Sequence, residues 1–182
     1  MRRPALTPDE LEVVYLFLAN PAPQTFSAVY RFFVPQVVRY FRSRGCEHSL
    51  AEDLSQETML AAYRLCGQVK ARELFRAWLF QIAKNELLQH IRSMSRRPRY
   101  EGIHEAGPEI SAIRTDPLIP LQVAEWMQFL SEEERELVRL RYMDGMEYHE
   151  IAATTETPQG TVQWKIFQAL KKLAARFGSP GK

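Results

Sequence analysis

Residues 157–182 concentrate side chains that could bind a phosphate backbone. They contain five basic and no acidic residues, whereas residues 131–156 contain eight acidic and three basic ones. A cationic segment of this kind is typical of a nucleic-acid-binding helix. The same charges could instead complement the dipole at a helix C-terminus, so charge alone leaves both interpretations open.

Helical periodicity divides residues 159–177 into two faces. The apolar side chains share one stripe that should be buried, namely Val162, Ile166, Leu170, Leu173 and Phe177. The opposite face carries hydroxyl, amide, aromatic and ammonium groups that suit base edges and phosphates: Thr161, Trp164, Gln168, Lys171 and Lys172. Upstream, Ile151 and the small Ala152 precede a turn near Thr157-Pro158, a spacing typical of a helix-turn-helix.

A second candidate surface lies on a helix predicted over 49–66. Asp53, Gln56, Glu57 and Leu60 share a face directed away from the apolar stripe that contains Leu54. This face could dock a basic surface of a partner protein. It could equally be a solvated helix face whose acidic residues favour the N-terminal end of the helix dipole.

A third candidate surface combines cations, an amide and aromatic rings between residues 75 and 99. Four arginines lie within residues 92–99, and Arg76, Lys84 and Asn85 lie upstream of them. This mixture suits single-stranded nucleic acid, because unstacked bases need flat partners and the backbone needs cations. Core packing is predicted for Trp78, because it shares a stripe with other apolar residues: Phe75, Leu79 and Ile82.

Helices must position these surfaces, and the sequence predicts helices throughout. It lacks runs of alternating strand-forming residues bounded by hairpin turns, whereas apolar residues recur every three or four positions. Thr7 is a predicted N-cap, with Pro8 at the first helical position and Glu10 completing a capping box. Eight helices are predicted, at about 7–19, 26–44, 49–66, 71–94, 121–129, 132–143, 147–154 and 159–177.

The periodicity fails between residues 96 and 120, where four prolines and two glycines interrupt any continuous helix. A chain of 182 residues is long enough for two small domains on either side of such a break. The sequence therefore predicts an all-α fold of two small helical domains joined by an irregular linker, with a helix-turn-helix in the C-terminal domain. The expected boundaries are 1–25 for an extra helix and turn, 26–98 for the first domain, 99–120 for the linker and 121–178 for the second domain.

Motifs and composition favour neither catalysis nor membrane insertion. Phosphate-binding loops, dinucleotide-binding glycines and hydrolase or metalloprotease motifs are absent from the sequence, so no catalytic residue, cofactor or metal is predicted. Cys46 and Cys66 lack metal or redox spacing and are expected to be reduced thiols. The apolar runs are shorter than the roughly 20 residues that span a bilayer, and no signal peptide is evident, so a cytoplasmic location is expected. The net charge of +2 is too small to indicate a partner.

Two parts of the sequence, in the order in which they occur in the family, resemble the sigma factors of bacterial RNA polymerase, specifically the small extracytoplasmic-function group. The segments AEDLSQETMLAAYR and FRAWLFQIAKNELLQHIR resemble the core-binding and promoter-melting parts of region 2. The segment LSEEERELVRLRYMDGMEYHEIA, followed by TPQGTVQWKIFQALKKL, resembles region 4. The resemblance covers about residues 26–97 and 125–177. Two matches in family order are more specific than either match alone.

The resemblance implies promoter recognition and melting by a subunit that works with core polymerase and catalyses nothing itself. The face formed by Asp53, Gln56, Glu57 and Leu60 would dock the clamp helices of the largest polymerase subunit. The flap of the second-largest subunit and promoter DNA are further expected partners, as is an anti-sigma factor. The non-template strand of the minus-ten element would contact Arg76, Lys84, Asn85, Arg92, Arg96 and Arg97.

The helix from Gln159 onward would read the minus-thirty-five element in the major groove. The resemblance adds three residues to the candidate readers named above: Gln159, Gln163 and Lys165. The alternative interpretation is a stand-alone helix-turn-helix regulator, which would normally need two-fold symmetry to read paired half-sites.

The sequence departs from the family pattern at three places. Glu156 stands where a glycine is usual, and a turn needing positive φ there costs about a kilocalorie or more unless the helix stops one residue early. Gln163, Trp164 and Lys165 replace the usual Lys-Ser-Arg, and Gln89 stands where an aspartate is common. The helix at 7–19 lies outside the resemblance, and it either packs on the first domain or serves a regulatory partner.

Overall fold

A computed structural model of the chain describes residues 6–96 and 121–178. Within these residues the chain is all-helical, which confirms the predicted fold class. The first helices are α1 (Pro8–Ala19), α2 (Pro23–Arg42), α3 (His48–Leu65) and α4 (Phe75–Arg96). The second group comprises α5 (Leu121–Met127), α6 (Glu132–Val138), α7 (Tyr148–Thr155) and α8 (Gln159–Phe177).

Shorter elements connect these helices. Two 3₁₀ turns, Cys66–Gln68 and Arg72–Leu74, lie between α3 and α4. A π-helical stretch, Arg139–Met143, continues α6, so the single helix predicted over 132–143 changes its hydrogen-bonding pattern halfway along. Within the described ranges, each helix is too short or too polar to cross a lipid bilayer.

Side-chain caps account for two of the helix starts. The Glu10 amide donates to Thr7 Oγ1 at 3.2 Å, and the Thr7 amide donates to the Glu10 carboxylate at 2.8 Å. The same reciprocal arrangement joins Ser131 and Glu134 at the start of α6. Each box satisfies backbone amides that a helix N-terminus otherwise leaves without partners. The predicted capping box at Thr7 is confirmed.

Helices α1–α4 form a bundle around an aromatic core. Phe33 and Phe75 meet edge-on with ring centroids 5.2 Å apart, and Tyr40 meets Phe80 in the same way at 5.1 Å. Trp78 is half-buried against Phe75, as its place in the apolar stripe predicts. Edge-to-face contacts of this kind stabilise a core beyond the area that they bury.

The N-terminal helix α1 packs on this bundle. Val14 and Phe17 are fully buried, and the Phe17 ring lies 5.2 Å from that of Phe26. The Gln36 amide donates to the buried Glu10 carboxylate at 3.1 Å, which ties α1 to α2. Of the two roles considered for α1, the structure supports packing.

The second group of helices buries a narrower stripe of α8 than its periodicity predicts. Val162, Ile166 and Ala169 are fully buried. Leu170 and Phe177 were predicted to be buried, but they are 38% and 39% exposed. The small Ala169 takes the buried position instead, in a cluster with Met127 of α5, Val138 of α6 and Leu130 of the loop between them. Phe177 packs against Trp126 at 5.3 Å and against Phe129 at 5.4 Å, between ring centroids, and still remains partly exposed.

The two groups of helices dock on each other through α4 and α7. Their buried apolar residues form one continuous cluster, in which Met146, Ile151 and Val162 join the core of the first bundle. The Thr154 hydroxyl donates to the Ala77 carbonyl at 3.4 Å across this contact. Two helical domains joined by a linker were predicted from the sequence, with no expectation about contact between them.

Candidate nucleic-acid and protein interfaces

The turn that positions α8 passes through a strained residue. Glu156 ends α7 with φ 53° and ψ 34°, and among the described residues it is the one non-glycine residue with positive φ. The helix therefore does not stop one residue early, and Glu156 adopts the conformation for which glycine is usual at this position. Its carboxylate accepts a hydrogen bond from the Gln81 amide of α4 at 3.0 Å.

The predicted reading face of α8 lies largely in solvent. Six of its candidate residues are exposed: Gln159, Thr161, Gln163, Trp164, Lys171 and Lys172. Lys165 and Gln168 are half-buried at the edge of this face. The Trp164 side chain is 60% exposed, so its indole is available for contact with a base or with a protein.

A second aromatic ring that the sequence interpretation missed stands beside Trp164. Phe167 lies three residues further along α8 and is 62% exposed. A spacing of three places the two rings on neighbouring positions of one helix surface. The exposed face is therefore more apolar than the predicted set of residues implied, and the i, i+3 spacing from Trp164 was the signal that could have revealed it.

Two of the candidate phosphate-binding lysines form ion pairs with α6. The Lys165 ammonium contacts the Glu133 carboxylate, and the Lys172 ammonium contacts Glu134. The hydrogen bond from Lys172 lowers the pKa of Glu134. Such partly exposed pairs are weak, about 0.2–1 kcal/mol, so a phosphate could displace them at small cost. Lys171 makes no ion pair with any described residue.

The candidate minus-ten surface is divided. Lys84, Asn85 and Arg92 are exposed on α4. Part of the same surface is concave and is lined by Asn85, Leu88, Gln89, Arg92 and Ser93. A flat amide and a guanidinium at the edge of a depression could hold an unstacked base. The Arg96 side chain and Arg97 lie outside the described side chains, as do Arg99 and the linker.

The structure does not support the assignment of Arg76 to the DNA surface. Its side chain is completely buried where α4 meets α7. The Arg76 Nε donates to Glu150 Oε1 at 2.9 Å, and Nη2 contacts the other carboxylate oxygen. A guanidinium held in this way cannot reach a nucleic acid while the two groups of helices are docked.

The candidate polymerase-binding face on α3 lies in solvent. Asp53, Gln56, Glu57 and Leu60 are all exposed, and Leu60 retains 47% of its surface. The opposite face of α3 supplies the core, with three residues fully buried: Ala51, Thr58 and Ala62. An apolar side chain surrounded by carboxylates and an amide is a combination that suits a protein interface with a basic partner.

Models of two protein families match the chain in order. Sigma-70 region 2 matches residues 29–97, and sigma-70 region 4 matches residues 121–173. The first match contains α3 and α4, and the second contains α5–α7 and all but the last four residues of α8. The curated relatives include the RNA polymerase sigma-H factor of Pseudomonas aeruginosa, which is 32% identical over 134 residues, covering 65% of this chain and 68% of that protein. The ECF RNA polymerase sigma-E factor of Escherichia coli K12 is 30% identical over 130 residues, covering 64% and 68%.

Solved structures show the same fold at lower sequence identity. CnrH, solved in complex with the cytosolic domain of CnrY, superposes with a TM-score of 0.67 at 22% identity, covering 95% of this chain and 99% of that one. The sigma factor RpoE of Bartonella quintana, solved with the anti-sigma factor NepR, gives 0.59 at 23% identity, covering 86% and 98%. The chain belongs to the sigma-70 family of RNA polymerase sigma factors, and within it to the extracytoplasmic-function type.

Proposed function

We propose that this sigma factor uses three separate exposed surfaces for its three tasks in transcription initiation. The α3 face docks on core polymerase, the α4 surface captures the opened minus-ten strand, and the α8 face reads the minus-thirty-five element. The observation that carries the proposal is the solvent exposure of most of the candidate residues that the structure describes, at positions that the two family matches cover in the expected order.

Docking through α3 is an electrostatic and apolar contact. Asp53 and Glu57 supply negative charge that steers a basic surface, and Leu60 supplies the area that is desolvated on contact. The basic surface is proposed to be the clamp helices of the largest polymerase subunit. Region 4 is proposed to contact the flap of the second-largest subunit.

Promoter melting needs a site that holds a base after it leaves the stack. Lys84 and Arg92 supply cations for the backbone, and the Asn85 amide both donates and accepts hydrogen bonds at a base edge. Binding of extruded bases offsets the cost of unstacking, a few kilocalories per mole per base. The polymerase supplies the phosphodiester chemistry, and this chain supplies only binding free energy.

Reading of the minus-thirty-five element is assigned to the first turns of α8. A helix N-terminus in the major groove directs its early side chains at base edges. Gln163 can pair with a base edge through its amide, and Trp164 can contact a thymine methyl. An anti-sigma factor is a further proposed partner, since two relatives of the same fold were solved with protein partners.

Two neighbouring acidic residues of α3 allow a matched test of the docking surface. Asp53→Ala removes a carboxylate from the proposed face, whereas Glu52→Ala removes an exposed carboxylate about 100° around the same helix. We expect Asp53→Ala to weaken binding to core polymerase by about tenfold and Glu52→Ala to leave it nearly unchanged. Fluorescence anisotropy of the labelled chain, titrated with core polymerase, measures the affinity of both variants. In-vitro transcription with core polymerase on a genomic library identifies the promoters. Equal loss in the two variants would refute the assignment of this face, and no association of the unmutated chain would refute the proposed function.

A further inference from the structure

The first turn of α6 places negative charge against the reading helix α8. Residues 132–134 are all glutamate, and the positive end of the helix dipole favours anions at this position. Glu133 contacts the Lys165 ammonium of α8. Glu134 contacts the Lys172 ammonium of the same helix. The paired side chains are 32 and 38 residues apart in the sequence, so only the packing of α6 on α8 brings them together.

The Glu134 carboxylate is held in place by the cap of its own helix. Its Oε2 accepts a hydrogen bond from the Ser131 amide at 3.0 Å, and its Oε1 contacts the Lys172 ammonium. Only 12% of the Glu134 side chain is exposed. The hydrogen bond from Lys172 lowers the pKa of Glu134, so this carboxyl is ionised throughout the neutral range. Because the capping box has already ordered the carboxylate, pairing with Lys172 costs less side-chain entropy than an ordinary surface pair.

Lys165 and Lys172 lie on one flank of α8. A separation of one heptad returns to nearly the same side of a helix, about 20° away, and this is the side that faces α6. Lys171 lies about 100° from Lys172 around the helix. It makes no ion pair with any described residue. The reading face therefore has a neutralised flank beside α6 and, on its other side, a cation without an acidic partner in the described part of the chain.

A paired lysine contributes less to general DNA binding than a free one. Non-specific binding is driven almost entirely by phosphate contacts and by the counterions that these contacts release. Lys165 or Lys172 can contact a phosphate only by leaving its carboxylate, and that carboxylate then takes up a cation from solution. The exchange lowers both the affinity gained and the net number of ions released. Base contacts are not affected in this way, because Gln163 and Trp164 are exposed and carry no charge.

We propose that Glu133 and Glu134 are positioning residues for promoter recognition. They hold two lysines of α8 in ion pairs and thereby keep the affinity of this helix for DNA of arbitrary sequence low. This role rests on the proposed function, which assigns α8 to the minus-thirty-five element. A non-specific complex can take whichever orientation gives the most phosphate contacts, whereas base contacts fix the orientation of a specific complex. Lysines freed from the pairs would therefore add more to non-specific binding, so the two glutamates raise the ratio of specific to non-specific affinity.

Three single substitutions in the full-length chain separate ion pairing from general charge. Glu133→Gln and Glu134→Gln each free one lysine, and a glutamine at position 134 still completes the capping box. Glu132→Gln is the matched control, because Glu132 pairs with Arg135 inside α6 at 2.8 Å. All three changes remove one negative charge from the same helical turn. Circular dichroism shows whether each variant folds.

Fluorescence anisotropy of a labelled random-sequence duplex, titrated with each chain, measures non-specific affinity. Glu133→Gln and Glu134→Gln should each bind about twofold to fivefold more tightly than the parent, the range expected for loss of a partly exposed ion pair. The slope of log K against log salt should become steeper by up to about 0.9 for each freed lysine. Glu132→Gln should bind like the parent. An equal gain in all three variants would overturn the proposal, as would no gain in either of the first two.

Double substitutions show whether each glutamate acts through its lysine. Glu133→Gln should give no gain in a Lys165→Gln background, and Glu134→Gln should give none in a Lys172→Gln background. A gain that persists in these backgrounds would contradict the positioning role, because the carboxylates would then act by repelling DNA directly.

A duplex that carries the minus-thirty-five element of a promoter found by in-vitro transcription tests the effect on specificity. Glu133→Gln and Glu134→Gln should lower the ratio of its affinity to that of the random-sequence duplex. An unchanged ratio, with tighter binding of both duplexes, would refute the effect on specificity. If the parent chain prefers no minus-thirty-five sequence, the proposed function of α8 fails, whereas the restraint on general DNA binding is still judged by the random-sequence duplex.

Discussion

Glu156 gives a quantitative test of the turn between α7 and α8. A left-handed conformation costs an L-residue about 1–2 kcal/mol relative to glycine. Glu156→Gly relieves that cost, but it raises the entropic cost of folding by about 0.5–1 kcal/mol because glycine is more flexible in the unfolded chain. It also loses the exposed hydrogen bond with Gln81, about 0.5 kcal/mol. These terms nearly cancel, so the single variant does not isolate the strain.

Comparison of Glu156→Gly with Glu156→Ala isolates the backbone strain. Both variants lose the hydrogen bond to Gln81, and only the alanine variant retains the strain of the left-handed conformation. We expect Glu156→Gly to be more stable than Glu156→Ala by about 0.5–1 kcal/mol, or about 1–4 °C in Tm. Urea denaturation with equal m-values in the two variants gives the difference.

A control of opposite sign lies in the same helix. Ala153 is exposed in the middle of α7, where glycine is unfavourable, so Ala153→Gly should destabilise the chain by about 0.8–1 kcal/mol. If Glu156→Ala proves as stable as Glu156→Gly while Ala153→Gly behaves as expected, the left-handed conformation at Glu156 is wrong.

Two further predictions concern α8 and the thiol of Cys46. Lys171→Ala should weaken DNA binding on all sequences and reduce the slope of log K against log salt by about 0.9, because one phosphate contact is lost. Trp164→Ala should instead change the preferred minus-thirty-five sequence in a selection from a random library. An equal loss of affinity on every sequence for both variants would contradict this division. Burial raises the pKa of Cys46 above its ordinary value of 9.0, so iodoacetamide should alkylate this thiol more slowly in the native chain at pH 8 than in urea. The contribution of this shift to the free energy of unfolding is fully present below the pKa of the thiol in the unfolded chain, and it is lost as the pH rises through the higher pKa of the folded chain. Equal alkylation rates in the native and unfolded chain would show that the thiol is not shielded.

Local rules account for the helices because their signals are local. Thr7 and Glu10 define the start of α1 within four residues, and the three-to-four periodicity needs only one helix to be read. The exposed α3 face was predicted on the same basis, although Glu57 lies only about 60° from Leu54 around the helix and the buried side of α3 is centred nearer Thr58. The predicted helix ends therefore lie within about four residues of the observed ones, when the π-helical stretch is counted with α6.

Tertiary contacts decided the features that could not be predicted. Arg76 lies among cations and aromatic residues in the sequence, and only the fold brings Glu150 against it. Leu170 and Phe177 belong to the apolar stripe of α8, but the helices that pack on α8 cover Val162, Ile166 and Ala169 more completely. Periodicity identifies the apolar side of a helix, but it does not show how much of that side the neighbouring helices cover.

The ion pairs of α8 change how its departure from the family should be interpreted. Gln163 and Trp164 replace residues that are usually cationic or hydroxylic, and the lysine that remains beside them, Lys165, is paired with Glu133. Lys172 is paired with Glu134 as well, so Lys171 is the reading-face cation without an acidic partner in the described part of the chain. A phosphate must therefore compete with a carboxylate for two of the three lysines, which lowers the number of counterions released on binding. In the proposed role, region 4 would therefore depend more on base contacts from its aromatic and amide side chains, and on attachment to polymerase, than on general attraction to DNA.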